Sequence, residues 1–452
     1  MRALRSTAFS DRPLSFLSPA AREDLANIAA IDLIENGDRT ARETWQNKQL
    51  TNLLRHAQSR SKFWRQRMPS RMINHEVMKY LPVLTREEIS VQINSEGPMA
   101  TTDGAAPTTY SSTGSTGTPV KVYITPQNGY YNTVRYIAQF FIDKLSIEER
   151  RILIYPPTSL DLLKKGAVRT KTADSWAGPL SSVFRNGSDK QITHLYDDDA
   201  LIKELSNDKV GYLICHSRIV EILLKKAGIQ LFKDVGLKVW FHVSDYRDPE
   251  IVEALAEIGV LSLSNYSAGE LGPIAFECRE RQGFYHVAHS NVVVEADDQL
   301  TTTFNGVTVE RLLVTHLHSY ATPIIRYDLG DFGRLEGRCP CGHDGPTLSN
   351  IFGRGKHFLR HPNGSLVPFY LSTRALLGVV PGFMDCRVRQ NELDTIDVEL
   401  GGRKAISDEE KSNLTKLMLK ATDPAFKVRI KTTDRIDWSG SPKRLLFSSA
   451  IA

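Results

Sequence analysis

Short runs of β-forming residues alternate with helical stretches between residues 151 and 258. The β-forming runs are residues 152–155, 210–214 and 239–243, and the helical stretches are residues 200–205, 217–227 and 249–258. This alternation predicts a parallel sheet flanked by helices, because parallel strands need a crossover that a helix supplies. After Leu261 β-rich segments continue through Ile325, which predicts a β-rich subdomain.

The two ends of the chain have different patterns. Residues from about 19 to 71 are rich in helix formers, with apolar positions three or four apart, such as Leu50, Leu53 and Leu54. Gly, Pro and charged residues cluster at 353–361, and strand, helix and strand patterns follow at 395–400, 407–420 and 426–432. We therefore expect an α/β protein with two domains. A large N-terminal domain (1–354) would begin with a helical arm, and a small C-terminal α+β domain (355–452) would follow.

Composition excludes several classes of protein. The net charge is only +5 over 452 residues and no basic stripe is present, which disfavours a nucleic-acid partner, including a zinc-containing nucleic-acid module. No apolar run approaches the roughly 20 residues that span a bilayer, and no apolar segment follows Met1. Five cysteines, an odd number, do not suggest a disulfide framework, so we expect a cytoplasmic protein.

A run of hydroxyl residues and glycines is the first candidate ligand site. Residues 110–119 read Tyr-Ser-Ser-Thr-Gly-Ser-Thr-Gly-Thr-Pro and lead into the alternating strand pattern of residues 120–124. Glycines let backbone amides approach an anion, and hydroxyls add donors for phosphate oxygens. The pattern lacks the lysine of a P-loop, and a flexible Ser/Gly linker is the alternative interpretation.

Three later segments complete a recognisable order of motifs. Residues 264–273 read Ser-Asn-Tyr-Ser-Ala-Gly-Glu-Leu-Gly-Pro and follow a β-rich run, which predicts a loop at a strand end. Residues 323–331 end in Asp-Leu-Gly-Asp, and residues 351–354 read Ile-Phe-Gly-Arg. With the run at 110–119, these segments resemble those of the adenylate-forming (acyl-CoA synthetase-like) enzymes. The N-terminal helices, the Ile-Arg-Tyr at 325–327 and the Cys-Pro-Cys-Gly at 339–342 resemble the phenylacetate-CoA ligase and CapK-like branch.

The resemblance implies a role for each motif residue. Tyr266 would line the adenine, with Ser267 also in the ATP site. Glu270 would hold Mg²⁺, and Asp331 would accept hydrogen bonds from the ribose with the help of Arg354. Taken alone, Asp331 could be a surface turn residue and Glu270 a salt-bridged loop carboxylate. The residues that would wrap the β- and γ-phosphates of ATP are Ser112, Thr113, Gly114, Ser115, Thr116 and Gly117.

Two lysines also match positions of the family pattern. Lys443 matches the terminal lysine that contacts the carboxylate and the α-phosphate, where a positive charge would stabilise the charge that builds up during adenylation. Lys356, two positions after Arg354, matches the pivot about which the small domain rotates. The alternatives are a solvated Lys-Arg pair for Lys443 and an ordinary interdomain linker for Lys356.

A zinc site is expected at Cys278, His286, Cys339 and Cys341. Three thiolates and an imidazole suit tetrahedral zinc, and some members of the resembled branch carry a structural zinc at matching positions. The alternative is free thiols in a reduced protein. His289 is a second candidate ligand, whereas the remaining cysteines are expected to be small buried residues. These are Cys215 and Cys386.

Three departures from the family pattern bear on activity. Gly269 stands where a hydroxyl residue is expected before the acidic residue, Thr118 replaces a lysine, and Pro442 replaces a glycine before the terminal lysine. Each removes a donor or flexibility, and a lost charge-assisted hydrogen bond costs about 1.5 to 3 kcal/mol. Altered kinetics, an unusual substrate or an inactive homologue would each explain them.

The resemblance implies ATP-dependent activation of a carboxylic acid to an acyl-adenylate with release of pyrophosphate. Acyl transfer to a thiol would follow, with coenzyme A as the expected acceptor. An amine or a carrier-protein pantetheine is the alternative acceptor, and a catalytically inactive nucleotide-binding protein is the alternative function. Strand aromatics such as Trp240 and Phe241 would suit an aromatic acid but could equally pack the sheet. The resemblance is also compatible with a homodimer.

Overall fold

The structure is a computed structural model that describes most of the chain. The described residues are 17–69, 73–111, 120–155, 170–177, 181, 184–193, 197–243, 247–304, 306–353, 358–369, 371, 373–438 and 446–451. Their helices are α1 (Pro19–Asn36), α2 (Arg39–Arg60), α3 (Lys62–Arg67), α4 (Arg86–Glu96), α5 (Pro126–Ile142), α6 (Asp198–Ser206), α7 (Ser217–Ala227), α8 (Gln230–Asp234), α9 (Pro249–Ala256), α10 (Thr373–Val379) and α11 (Asp408–Ala421), with a 3₁₀ helix at His75–Tyr80.

The strands of the described residues belong to four sheets. They are β1 (Thr108–Ser111), β2 (Lys121–Ile124), β3 (Arg151–Tyr155), β4 (Thr170–Ala173), β5 (Asp189–Thr193), β6 (Tyr212–Cys215), β7 (Val239–His242), β8 (Leu261–Ala268), β9 (Gly272–Glu277), β10 (Phe284–Val287), β11 (Val292–Phe304), β12 (Val307–His316), β13 (Tyr327–Glu336), β14 (Thr347–Gly353), β15 (Phe358–Arg360), β16 (Leu366–Pro368), β17 (Asp385–Glu392), β18 (Thr395–Gly401), β19 (Lys427–Thr433) and β20 (Phe447–Ser449).

The N-terminal helices form the predicted arm. Ser18 caps α1 by accepting a hydrogen bond from the Ala21 amide at 3.1 Å, and Asp38 caps α2 in the same way. The apolar stripe of α2, with Leu50 and Leu53, is buried in the same hydrophobic core as residues of the antiparallel strands. The arm therefore covers one part of the sheet.

Twelve of the described strands form one sheet, in the order β11-β12-β13-β14-β10-β9-β8-β7-β6-β3-β5-β4. Strands β5, β3, β6, β7 and β8 are parallel, as the alternating pattern predicts. Helices α6, α7 and α9 bury their apolar residues with those of the parallel strands in a second core. The β-rich segments after Leu261 continue this sheet and do not form a separate one.

The predicted loop at residues 264–273 is largely strand, so that prediction is wrong. Strand β8 pairs in parallel with β7 as far as Ser264, and then antiparallel with β9 from Asn265 to Ala268. Only residues 269–271 connect β8 to β9. Pairing with β9 satisfies the backbone of this polar stretch, whose side chains alone suggest a loop.

The C-terminal strands build a second, four-stranded sheet in the order β19-β18-β17-β20, packed with α10 and α11. A capping box between Ser407 and Glu410 begins α11. This sheet and its helices have their own core, as expected of an α+β unit. The boundary predicted after residue 354 stays a prediction, because residues 354–357 lie outside the described residues.

A buried ion pair joins helix α7, which packs on the large sheet, to strand β17 of the four-stranded sheet. The Arg218 side chain on α7 is 2% exposed, and its guanidinium contacts the Glu221 carboxylate and lies 2.8 Å from an oxygen of Asp385 on β17. Trp438 donates a 2.7 Å hydrogen bond to the other Asp385 oxygen. Asp385 therefore ties α7 to the segment that precedes Lys443.

No helix in the described part of the chain is long and apolar enough to cross a membrane.

Candidate active site

The predicted phosphate-binding run lies between two paired strands. Strands β1 and β2 are antiparallel, with Thr108 opposite Ile124 and Ser111 opposite Lys121. Residues 112–119, which include all six predicted phosphate-binding residues, lie outside the described residues. Their role stays a prediction, while the hairpin strands on either side are part of the described structure.

Tyr266 and Asp331 come from distant segments and contact each other directly. The Tyr266 hydroxyl on β8 donates a hydrogen bond to Oδ2 of Asp331 on β13, at 2.8 Å. Burial and then the Asp331 charge raise the pKa of Tyr266 well above its usual value, so its hydroxyl keeps its proton. Two residues predicted to bind one nucleotide therefore lie side by side.

Glu270 lies in the short connection between β8 and β9, close to this pair. Its Oε1 accepts a hydrogen bond from the Tyr327 hydroxyl at 3.0 Å, and Tyr327 is fully buried. Burial and then the Glu270 charge raise the pKa of Tyr327, which keeps that hydroxyl a donor. Among the described residues, Oε2 of Glu270 accepts no hydrogen bond. A carboxylate oxygen is the kind of ligand that Mg²⁺ prefers.

A close contact accounts for the glycine that departs from the family pattern. A Cβ on Gly269 would lie 2.6 Å from both Cε1 and the hydroxyl oxygen of Tyr110 on β1. Burial and then the Glu270 charge raise the pKa of Tyr110. The tyrosine hydroxyl therefore occupies the space of a side chain at 269, and it brings the β1–β2 hairpin to the β8–β9 connection.

The strand register brings Gly353, the residue before Arg354 in the sequence, opposite Asp331. Asp331 on β13 is opposite Gly353, the last residue of β14. Arg354 and Lys356 lie outside the described residues, as does Lys443, which follows the Trp438 indole held by Asp385. Ser267, on β8, is exposed. The roles of Ser267, Arg354, Lys356 and Lys443 stay predictions.

The four predicted zinc ligands come together. The ligand atoms of Cys278, His286, Cys339 and Cys341 all lie within 4.8 Å of one another, and Cys341 Sγ is 3.4 Å from His286 Nε2. Strand β10, which carries His286, pairs with both β9 and β14, and this pairing brings the two halves of the motif together. Burial lowers the pKa of His286 to about 4, so the imidazole is neutral, as a zinc ligand must be. The donor set and its closeness fit a structural zinc ion.

His289, the second candidate ligand, is outside that group of four. It is buried, and its backbone N–H donates to Glu35 at 3.1 Å. Sequence reasoning missed His343, whose ring stacks on that of His286 with 4.1 Å between centroids. A histidine two residues after Cys341 is the only signal that the sequence offers for it. Cys215 and Cys386 are buried, as expected.

Comparisons with known proteins bear on the fold. This chain is similar to 2-hydroxyisobutyryl-CoA ligase in the postadenylation state with 2-HIB-AMP, with 14% identity, coverage of 90% of this chain and 89% of the ligase, and a TM-score of 0.65. The same ligase with 2-HIB-AMP and CoA in the thioesterification state gives 13% identity, 98% and 97% coverage, and a TM-score of 0.57. This chain is also similar to the AtGH3.15 acyl acid amido synthetase in complex with 2,4-DB. The identity is 11%, the match covers 91% of this chain and 89% of the synthetase, and the TM-score is 0.52.

No protein-family model and no curated protein matches this chain. At such low identities, the structural similarity shows a shared fold. The chain has the α/β fold of the adenylate-forming enzymes over nearly its whole length. The resemblance to the phenylacetate-CoA ligase and CapK-like branch stays a prediction.

Proposed function

We propose that this protein is an enzyme that activates a carboxylic acid with ATP to an acyl-adenylate and pyrophosphate. The acyl group would then pass to a thiol, for which we propose coenzyme A. The observation that carries the proposal is the convergence of Tyr110, Tyr266, Glu270 and Asp331 from three separate segments. The fold shared with an acyl-CoA ligase supports it.

Each residue would have a distinct role. Asp331 would accept hydrogen bonds from the ribose beside Tyr266, assisted by Arg354, and residues 112–117 would surround the phosphates. Glu270 would hold magnesium through its carboxylate, and the metal would supply charge neutralisation at the phosphates. Lys443 would stabilise charge at the α-phosphate while the carboxylate attacks it.

The chain's two units would divide this work. Residues 1–354 would bind the nucleotide and the acid, and residues 355–452 would be a small mobile domain pivoting at Lys356. The four-ligand cluster would hold zinc as a structural element, because four protein ligands leave no position for a substrate. Cytoplasmic location and a homodimer remain expectations.

Pyrophosphate exchange tests the adenylation step. We expect exchange of labelled pyrophosphate into ATP to depend on an acid from a panel of aromatic and aliphatic acids. Glu270→Gln should lower the rate about a hundredfold or more, since an amide keeps the Tyr327 hydrogen bond but loses the metal-binding charge. Asp298→Asn, an exposed carboxylate on β11, is the matched control and should retain the rate.

The same assay separates the alternatives. ATP binding without exchange under any acid would favour the inactive nucleotide-binding protein. Exchange without consumption of coenzyme A would favour an amine or a carrier-protein pantetheine as acceptor. If the rate in Lys443→Ala equals that of the unmodified protein, the role proposed for Lys443 is wrong.

A further inference from the structure

A charged groove lies on one face of the C-terminal four-stranded sheet. Its volume is about 360 Å³, and it crosses strands β17, β18 and β19. Four of its charged side chains are cationic and two are anionic, so the groove is positive overall. They are Arg387, Arg389, Arg429, Lys431, Asp397 and Glu399.

The strand register arranges these charges in two rows. In one row, Arg389 is opposite Asp397, which is opposite Arg429. In the other row, Arg387 is opposite Glu399, which is opposite Lys431. Residues at alternate positions share a face of a strand, so each carboxylate lies between two cations. Glu392 on β17 adds a third carboxylate beside the groove by accepting a 2.9 Å hydrogen bond from Arg429, and three carboxylates still face four cations.

Arg389 is the cation left over. Both oxygens of Asp397 accept hydrogen bonds from Arg429, at 2.6 and 3.2 Å. Glu399 accepts from Arg387 Nε at 3.0 Å. Arg389 is only partly exposed, yet its guanidinium makes no hydrogen bond or ion pair within the part of the chain that the structure describes. A guanidinium carries five donors, and leaving them without partners costs free energy when water is partly excluded.

The groove begins where the two units meet. Asp385, Arg387 and Arg389 alternate along the same face of β17. The Arg387 guanidinium lies over the Trp438 ring at 5.0 Å, while Asp385 contacts both Trp438 and Arg218 of α7. Arg389 is therefore the next residue on this face beyond the contact between the units.

We propose that this groove binds a phosphate group through Arg389. A guanidinium matches two phosphate oxygens with parallel hydrogen bonds, and the positive lining favours an anion. Coenzyme A brings such a group at its 3′ position, and free inorganic phosphate is the other source of the same chemistry. The choice of coenzyme A rests on the function proposed above, whereas the phosphate site rests on the groove alone.

Titration calorimetry on the full chain tests the proposal, with coenzyme A, 3′-dephospho-coenzyme A and inorganic phosphate as probes. Arg389→Gln should weaken binding of the phosphate-bearing probe about tenfold or more, the effect of one lost charge-assisted interaction. Lys427→Gln is the matched control. Lys427 lies on the same face of β19 but pairs with Asp394 at 2.7 Å, so the variant should bind within twofold of the unmodified protein.

The pattern of binding decides the source. If Arg389→Gln weakens the binding of coenzyme A but not of its dephospho form, the site binds the 3′-phosphate. If the variant weakens the binding of inorganic phosphate alone, the site binds free phosphate. The proposal is overturned if Arg389→Gln binds every probe as tightly as the unmodified protein. It is also overturned if Lys427→Gln loses as much affinity as Arg389→Gln. Because calorimetry is done without ATP or acid, and pyrophosphate exchange without thiol, failure of this site and failure of the proposed function give different results.

Discussion

The hydroxyl of Tyr266 donates a 2.8 Å hydrogen bond to the carboxylate of Asp331, although 64 residues lie between them in the chain. This bond fixes the orientation of the Asp331 carboxylate and links β13 to β8, which are separated in the sheet by β14, β10 and β9. Nothing in the fold alone requires a carboxylate there, because both strands could pack through apolar side chains. A hydrogen-bonded acid next to Glu270 is the arrangement that a nucleotide site would use.

Replacing Tyr266 with Phe should lower both the stability of the protein and the affinity of the proposed nucleotide site. The variant removes one donor from Asp331, and we expect the free energy of unfolding to fall by about 1 to 2 kcal/mol. The KM for ATP should rise, because Asp331 loses a group that orients it. Denaturation and steady-state kinetics measure the two effects. Tyr80→Phe, at a 76% exposed tyrosine, should change neither.

Enlarging Gly269 should damage the site, and shortening Tyr110 should repair it. Gly269→Ala puts a Cβ 2.6 Å from the Tyr110 ring and hydroxyl, a distance that side chains do not tolerate. We expect a loss of about 1 to 3 kcal/mol in stability and lower pyrophosphate exchange. The double variant with Tyr110→Ala should recover stability. If the double variant is as unstable as the sum of both single variants, the contact is not the cause.

Zinc analysis checks the cysteine cluster. We expect the purified protein to contain a single zinc ion per chain, and Cys339→Ser to lose it with a lower Tm. Burial raises the pKa of Cys339 to about 12, so a bound metal is needed to keep this thiol ionised at neutral pH. Cys215→Ala removes a buried thiol outside the cluster and should retain zinc. Equal metal content in all three proteins would contradict the assignment.

Breaking the buried ion pairs of Arg218 should lower the free energy of unfolding far more than breaking an exposed ion pair. Arg218→Met leaves the Glu221 and Asp385 carboxylates without this cation, and we expect the free energy of unfolding to fall by about 3 to 5 kcal/mol. Hydrogen exchange at β17 should also increase. Arg39→Gln is the control, because the Arg39–Glu43 pair is more than half exposed and its loss should leave the free energy of unfolding nearly unchanged.

Acid should destabilise the helical arm through Glu35. Burial alone would raise the pKa of Glu35, but Arg135 at 3.0 Å, His289 and hydrogen bonds from Ser290 hold it below its usual 4.5. A folded pKa below the unfolded one means that this stability is present above about pH 4.5 and is lost as pH falls through the lowered folded pKa. Glu35→Gln should therefore be less stable at pH 7 and show a flatter pH dependence in acid. An unchanged acid slope in this variant would contradict the role of Glu35.

Much of the fold can be predicted from the hydrophobic periodicity and from the residues that begin and end helices and strands. The helical stretch predicted at 217–227 has the bounds of α7, because Gly228, at φ +72°, ends it in a conformation that suits glycine. Strand β8 was missed beyond Ser264, because its polar and small residues carry no strand pattern and only pairing with β9 makes them extended. Tertiary hydrogen bonding overrides local preference there.

The sequence predicts a set of candidate site residues but not the contacts between them. The motif order identified Tyr266, Glu270 and Asp331, yet no spacing predicts that Tyr266 binds Asp331 or that Tyr327 binds Glu270. Gly269 looked like a missing hydroxyl in the sequence, whereas the structure brings the Tyr110 hydroxyl into that space. Such relationships depend on strands far apart in the chain, and a single sequence does not encode them in any local pattern.

A crystal structure of the protein with ATP and magnesium is the decisive test of the proposed nucleotide site. We expect the nucleotide beside Tyr266, with its ribose on Asp331 and its metal on Glu270. A nucleotide bound elsewhere on the protein, with Glu270 and Asp331 both unoccupied, would contradict it.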